Sequence, residues 1–172
     1  MLTASRRRSK ATKMKILFVC TGNICRSPTA EGVFQYLLTD MGLDRAVTAD
    51  SAGTHGYHVG EAPDPRTVET AAKRGYDLSA QKARRVRTDD FEKFDLILAM
   101  DRGHLSYLQA MQPHGSKAEV RLFLDFHPSK DLKDVPDPYY GGGRGFEDVL
   151  DMVEAASIEL IGHLKARMNP AP

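Results

Sequence analysis

The chain is organised around Val19-Cys20-Thr21-Gly22-Asn23-Ile24-Cys25-Arg26-Ser27-Pro28. The apolar run at residues 16–19 predicts a buried parallel strand, and the residues after the stretch repeat apolar side chains at helical spacing. Ser27 is predicted to be the N-cap of that helix, with Pro28 at its first position and Gly42 as its stop. The stretch therefore forms a loop between a strand and a helix N-terminus.

A loop of this kind is suited to an anion. The first N–H groups of a helix lack partners and the helix dipole is positive there, so a negative ligand is stabilised. Gly22 and Asn23 can take the left-handed conformations that let a loop curl inward. We therefore predict that the loop binds phosphate or a similar oxyanion, and its predicted substrate-binding residues are Thr21, Gly22, Asn23, Ile24, Cys25 and Ser27.

Two side chains give this loop a chemistry. Cys20 opens it and Arg26 closes it six residues later. The inward N–H groups, the dipole and Arg26 favour the nucleophilic thiolate form of Cys20, and a guanidinium can hold two phosphoryl oxygens at once. Each residue alone is equally well explained as a buried strand-end cysteine or a solvated arginine. Their spacing, together with the flanking strand and helix, predicts a nucleophile and a clamp that face one anion.

The segment from Cys20 to Pro28 resembles the phosphate-binding loop of the low-molecular-weight protein tyrosine phosphatases. That loop has a cysteine, five residues, an arginine, and then serine or threonine. The resemblance runs from about Lys15 to the last predicted helix and includes Asp137-Pro138-Tyr139-Tyr140, which is similar to the motif that carries the family's general acid. It implies a phosphoric monoester hydrolase that acts on phosphotyrosine-containing proteins through a phosphocysteine on Cys20. Asp137 would be the general acid, and no metal or other cofactor would be needed.

The resemblance also implies supporting residues around the loop. Ser51 stands where the family has a serine that hydrogen-bonds the loop asparagine, here Asn23. Asp101 stands where an aspartate helps to hold the loop arginine, here Arg26. Tyr57 matches an aromatic residue at the mouth of the substrate site, while the nearby histidines are interpreted as exposed loop residues.

Further roles concern the walls of the site and the leaving thiolate. Tyr139 and Tyr140 would form an aromatic slot that suits a phenyl phosphate. Ser27 would hydrogen-bond the departing thiolate of Cys20. Cys25 corresponds to a family cysteine that traps an oxidised nucleophile as a reversible disulfide.

Several alternatives stay open. Asp134 lies near Asp137 in the same long loop and competes for the role of acid. Thr21 accompanies phosphoarginine specificity in a related branch of the family, whereas the tyrosine pair favours phosphotyrosine. An arsenate reductase of this fold would use two further cysteines, but the chain has only Cys20 and Cys25. A non-catalytic phosphotyrosine-binding module is disfavoured because the nucleophile, the clamp and the acid are all present.

The order of predicted elements gives the fold class. Strands at residues 16–19, 47–51, 94–100 and 120–124 alternate with amphipathic helices, although the fourth segment is also compatible with a short helix. This order predicts a single α/β domain, residues 14–169, with a twisted parallel four-stranded sheet, helices on both faces, and the phosphate-binding loop after the first strand. Ligands of such sheets bind at the carboxyl ends of the strands, where Cys20 lies.

Composition limits the classes of partner. A chain of 172 residues suits one α/β domain, and a net charge of +1 selects neither nucleic acid nor membrane. Residues 1–13 are basic and are predicted to be a disordered tail, and the basic segment at 81–87 is either a solvated patch or a contact for an acidic partner. Two cysteines in one loop predict a reducing cytoplasm. We expect no membrane insertion, and a monomer or weak self-association.

Overall fold

A computed structural model of the chain describes residues 13–169. The predicted tail of residues 1–13 therefore lies outside the described residues, except for Lys13, which is exposed. The strands and helices in chain order are β1 (Met14–Cys20), α1 (Arg26–Asp40), β2 (Val47–Gly53), α2 (Pro65–Lys73), α3 (Asp90–Lys93), β3 (Leu96–Ala99), α4 (Arg102–Met111), β4 (Glu119–Leu122) and α5 (Gly145–Met168). Short 3-10 turns lie at Phe123–Phe126 and Pro138–Tyr140.

The four strands form one parallel sheet in the order β2-β1-β3-β4. This confirms the predicted fold class. The strands pair in register so that Cys20 lies beside Gly53, and Val19 lies beside Ala99. The carboxyl ends of β1, β2 and β3 therefore meet at one edge, and the loop after β1 opens there.

Side chains from alternate positions of β1 face opposite sides of the sheet, and each side has its own core. Phe18 packs edge-on against Phe34 of α1 and Phe123, with ring centroids 5.5 and 5.1 Å apart. The helices on this face are α1, α2 and α5. Leu17 and Val19 pack on the other face with residues of α3 and α4. Helices thus cover both faces, as predicted, and hold the end of β1 rigidly.

One local prediction needs correction, and one open choice is resolved. The helix after the loop begins at Arg26 with Cys25 at its N-cap, so the prediction that Ser27 caps it is wrong. No side chain caps this helix, and the hydroxyl of Ser27, inside its first turn, lies 3.0 Å from Cys20 Sγ. The segment at residues 120–124, predicted as a strand or a short helix, contains both, since β4 runs directly into a 3-10 turn.

Aspartate side chains cap two other helices. Asp64 accepts a hydrogen bond from the N–H of Arg66 at the start of α2, and Asp101 accepts one from the N–H of His104 at the start of α4. Among residues 13–169, no helix is both long enough and apolar enough to span a bilayer.

Candidate active site

The loop between β1 and α1 forms a cradle of backbone donors. Its first residue, Cys20, ends β1 and is only 2% exposed. Within the described part of the chain, the N–H groups of residues 21–27 donate to no carbonyl or side chain. The first backbone bond of the helix comes from Thr29 to the carbonyl of Cys25. These free donors, next to the positive end of α1, make a site for an oxyanion.

The shape of the cradle depends on Asn23. Of the two residues expected to allow a left-handed conformation, Asn23 adopts one, with φ of 57°, and Gly22 does not. Asn23 Nδ2 donates to the hydroxyls of Ser27 at 2.8 Å and Ser51 at 3.0 Å, while its Oδ1 accepts from the N–H of Arg84 at 3.0 Å. The predicted contact between Asn23 and Ser51 is therefore present in the structure, and both polar atoms of the Asn23 side chain have hydrogen-bond partners.

The end of β2 lies directly under the loop. A Cβ added to Gly53 would lie 2.6 Å from the carbonyl oxygen of Thr21. Only glycine allows that approach. Gly22 has a similar constraint, since its own Cβ would lie 3.0 Å from His58 Cδ2.

Arg26 is almost fully buried and is held on one side of its guanidinium. Its Nη1 donates to Asp101 Oδ2 at 2.9 Å and to the carbonyl of Val135 at 3.2 Å. Its Nη2 donates to the hydroxyl of Thr21 at 3.3 Å and lies 3.6 Å from Asp137 Oδ2. The arginine thus contacts Asp101, as the resemblance implies, and its remaining donors lie beside the cleft.

The two candidate acids have different surroundings. Asp137 lines the cleft beside Arg26, with Oδ2 3.6 Å from Nη2, and its Oδ1 accepts from the N–H of Tyr139 at 3.0 Å. Asp134 accepts from Arg102 Nε at 3.1 Å and Nη2 at 2.8 Å, and does not line the cleft. The Arg102 guanidinium holds the pKa of Asp134 below its usual range. Asp134 is therefore committed to an ion pair, while Asp137 is available to the cleft.

The cleft above Cys20 has a volume of about 190 Å³. Its walls are aromatic: Tyr57, Tyr139 and Tyr140 stand at its mouth, and Tyr57 and Tyr140 are 77% and 86% exposed. Of the predicted residues, Asn23, Ser27, Ser51 and Asp101 lie behind the cleft, and the structure brings the following to its lining: Cys20, Thr21, Gly22, Ile24, Cys25, Arg26, Tyr57, Asp137, Tyr139 and Tyr140.

Two histidines of the site were missed from the sequence. His58 lines the cleft beside Gly22 and is only half-buried, with Nδ1 2.7 Å from Glu61 Oε2. His58 is a loop residue with 33% of its side chain exposed, as interpreted, but its place in the lining of the cleft was not predicted. His104 is 5% exposed, and its Nε2 lies 2.7 Å from the Thr21 hydroxyl. His104 follows Asp101, the N-cap of α4, by three residues, and this spacing places both side chains on the same side of the helix. That spacing could have indicated that His104 lies near Arg26.

The second cysteine of the loop has a different character from the first. Cys25 is buried, and this burial raises the pKa of its thiol to about 12. Cys25 is therefore a neutral thiol at physiological pH, and both cysteines are unpaired in this structure. A disulfide between Cys20 and Cys25 stays a prediction.

The basic segment at residues 81–87 is not a uniform patch. Arg84 turns inward, where it donates to Asp50 Oδ2 at 3.1 Å and to Asp90 Oδ2 at 3.0 Å. It therefore ties the segment to β2 and α3. Lys82, Arg85 and Arg87 remain exposed.

Comparison with known proteins gives the family. Residues 15–169 match the family model described as low molecular weight phosphotyrosine protein phosphatase. A Streptomyces coelicolor protein named low molecular weight protein-tyrosine-phosphatase is 48% identical over 159 residues, covering 90% of this chain and 96% of that protein. The crystal structure of an Entamoeba histolytica protein tyrosine phosphatase with Hepes in its active site superposes with a TM-score of 0.86 at 39% identity, covering 91% of this chain and all of that one.

A crystal structure described as a Drosophila arginine phosphatase is also similar. Its TM-score is 0.83 at 29% identity, with 88% of this chain and 98% of that chain covered. The cradle of free N–H groups, the buried arginine and the cleft aspartate occur in a chain that matches one family model over nearly its whole length. The chain therefore belongs to the low molecular weight phosphotyrosine protein phosphatase family.

Proposed function

We propose that this protein hydrolyses phosphotyrosine in phosphoproteins through a phosphocysteine on Cys20. The observation that carries the proposal is that one cleft is lined by Cys20, by Arg26 and by the loop between them, whose N–H groups have no acceptor among the described residues. Such an arrangement binds a phosphoryl dianion and holds a sulfur nucleophile beneath it. The whole domain, residues 14–169, is proposed as the catalytic unit.

Binding places the phosphoryl group in the cradle. Its oxygens accept hydrogen bonds from the loop N–H groups and from the donors of Arg26 that face the cleft. Arg26 is pre-positioned by Asp101 and Val135, so little freedom is lost when the anion arrives.

The first chemical step transfers the phosphoryl group. The thiolate of Cys20 attacks phosphorus in line with the ester oxygen, the S–P bond forms, and the P–O bond to the tyrosine ring breaks. Asp137, protonated at this stage, gives its proton to the leaving oxygen so that a neutral phenol departs. The position of Asp137 opposite Arg26, in the wall of the cleft, supports this role.

The second step restores the enzyme. Asp137, now a carboxylate, takes a proton from a water that attacks phosphorus, and the S–P bond breaks to release phosphate and the thiolate. Ser27 Oγ lies 3.0 Å from Cys20 Sγ and already accepts from Asn23 Nδ2. The Ser27 proton has two acceptors in reach, the carbonyl of Ala52 at 3.4 Å and the sulfur, and the sulfur is the closer and, as a thiolate, the charged one, so the hydroxyl donates to it and stabilises the departing thiolate.

The aromatic walls support phosphotyrosine as the substrate. A tyrosine ring that enters between Tyr57, Tyr139 and Tyr140 gains contacts that a short phosphoserine side chain cannot reach. Phosphoarginine is the second candidate, because Thr21 lines the cleft and because a relative is described as an arginine phosphatase. We place the protein in the cytoplasm, as a monomer or a weakly associating chain.

The decisive assay is phosphate release from matched phosphotyrosine, phosphoserine and phosphoarginine peptides, with a chelator present. We expect release from phosphotyrosine by the wild type and none by Cys20→Ser. Preference for phosphoarginine would keep the mechanism and change the substrate. Tight peptide binding without release by the wild type would refute hydrolysis and indicate a recognition module.

A further inference from the structure

A closed ring of side chains lies behind the candidate phosphate clamp. Arg26 Nη1 donates to Asp101 Oδ2 at 2.9 Å, and the other carboxylate oxygen, Oδ1, lies 3.1 Å from His104 Nδ1. His104 Nε2 is 2.7 Å from the Thr21 hydroxyl, which accepts from Arg26 Nη2 at 3.3 Å. His104 thus joins the two residues that contact the two ends of the same guanidinium.

The direction of the bond between His104 and Thr21 follows from its surroundings. Burial, and next the positive charge of Arg26, lowers the pKa of His104 to about 4, so the ring is neutral at physiological pH. A lone pair on Nδ1 would be repelled by the carboxylate 3.1 Å away, so the single ring proton resides on Nδ1. That contact is too bent for a full hydrogen bond, and Nδ1 has no other described partner.

It follows that Nε2 is the acceptor. The Thr21 hydroxyl gives its proton to Nε2 and keeps its lone pairs for Arg26 Nη2. If His104 were absent, this hydroxyl could rotate and its proton could face the guanidinium, which would repel it.

We propose that His104 is a positioning residue for phosphate binding, which fixes the Thr21 hydroxyl as an acceptor and thereby sets the orientation of Arg26 Nη2. The proposal rests on the proposed function, since it concerns the same clamp. Nη1 is held by Asp101 and by a backbone carbonyl whether or not His104 is present. Nη2 is the end that faces Asp137 and the cleft, and Thr21 is its only hydrogen-bond acceptor among the described residues.

A purely structural role for His104 makes a different prediction. Its backbone N–H is satisfied by Asp101 and its ring fills a buried position, so a packing residue would affect the free energy of unfolding alone. A positioning residue must also change how strongly the folded protein binds phosphate. It must do so only while Thr21 carries a hydroxyl.

The test compares His104 variants in two backgrounds, wild type and Thr21→Val. The readouts are kcat and KM with p-nitrophenyl phosphate, and the Kd of inorganic phosphate from calorimetry, which needs no turnover. His104→Gln keeps an acceptor near the place of Nε2, whereas His104→Asn is too short to reach Thr21 and replaces His104→Ala if that variant does not fold. His114→Gln, an exposed histidine in the loop after α4, is the matched control.

We expect His104→Ala to weaken phosphate binding and to lower kcat/KM by about tenfold each, the usual effect of one buried hydrogen bond. In the Thr21→Val background the same change should have less than about a twofold effect, and His104→Gln should retain most of the affinity for phosphate. Equal losses in both backgrounds would overturn the proposal, as would a lower Tm with unchanged phosphate affinity. A wild type that binds phosphate without turnover would refute the proposed function and leave the affinity comparison intact.

Discussion

Asp134 and Asp137 lie in one loop, and the structure gives them different roles. Changing each of them to asparagine tests those roles. Asparagine keeps the shape of the side chain but can act neither as a general acid nor as a general base. Asp137 faces Arg26 in the cleft, and removing a general acid slows a reaction by about 10²- to 10⁴-fold. We therefore expect Asp137→Asn to lower kcat for phosphotyrosine peptides by at least about 100-fold.

The matched change, Asp134→Asn, removes only an ion pair at the surface. Arg102 is 71% exposed in this pair and Asp134 is 37% exposed, so its loss should cost at most about 1 kcal/mol of stability. We expect kcat to remain within about threefold of the wild type, because Asp134 does not line the cleft.

The assay should vary the leaving group as well as the enzyme. The phenol of tyrosine has a pKa of about 10 and depends strongly on protonation, whereas an aryl phosphate whose phenol has a pKa near 7 leaves readily as an anion. The loss in Asp137→Asn should therefore be smallest for the more acidic phenol. A loss of turnover in Asp134→Asn as large as that in Asp137→Asn, or a loss in Asp137→Asn that is equal for all leaving groups, would refute the assignment.

Three further changes test the fold beneath the site. Gly53→Ala should destabilise the protein by about 1–3 kcal/mol and reduce activity, because its Cβ would lie 2.6 Å from a loop carbonyl. Gly162→Ala, on the open surface of α5, should instead stabilise it by about 0.5–1 kcal/mol. Thermal unfolding and activity assays compare the two variants, and equal effects on both would contradict the packing of Gly53 against the loop. Burial and the nearby Asp50 carboxylate raise the pKa of Glu31 to about 8, so above pH 4.5 the native state keeps a proton that the unfolded chain loses. Glu31→Gln should therefore stabilise the protein by about 2 kcal/mol at pH 7 but not at pH 4.5, which denaturant titration at the two pH values would measure. Because the pKa of His104 is lowered from 6.5 to about 4, the unfolded chain binds a proton in that range and the native state does not. Between pH 6.5 and 4 the wild type should therefore lose about 3 kcal/mol more stability than His104→Gln, and an equal change in both proteins would contradict this.

Local patterns in the sequence were sufficient for the loop and the fold class. The spacing of Cys20 and Arg26, between an apolar strand and an amphipathic helix, requires no distant residue to be recognised. Alternation of strands and helices implies parallel pairing, because a crossover helix returns the chain to the same end of the sheet. That alternation does not fix the sheet order β2-β1-β3-β4, which the structure supplies.

The choice between the two aspartates could not be derived from the loop sequence by itself. Asp134 and Asp137 are three residues apart in a segment without periodicity, and the motif match alone favoured Asp137. In three dimensions, Arg102 at the start of α4 forms an ion pair with Asp134, while Asp137 faces the cleft. An ion pair between residues distant in sequence thus leaves one carboxylate available.

One short segment with local geometry specifies the nucleophile, the clamp and the free helix donors, so these three features were predictable from residue order. The residues that surround them are set by tertiary packing. His104 belongs to the site only because β1 and β3 are neighbours, which places the start of α4 beside the loop after β1. Ser27 matches the sequence pattern of a helix cap, but packing places its hydroxyl 3.0 Å from Cys20 Sγ and the helix begins at Arg26. Contacts of this kind depend on how whole elements pack, and a linear pattern carries no measure of that distance.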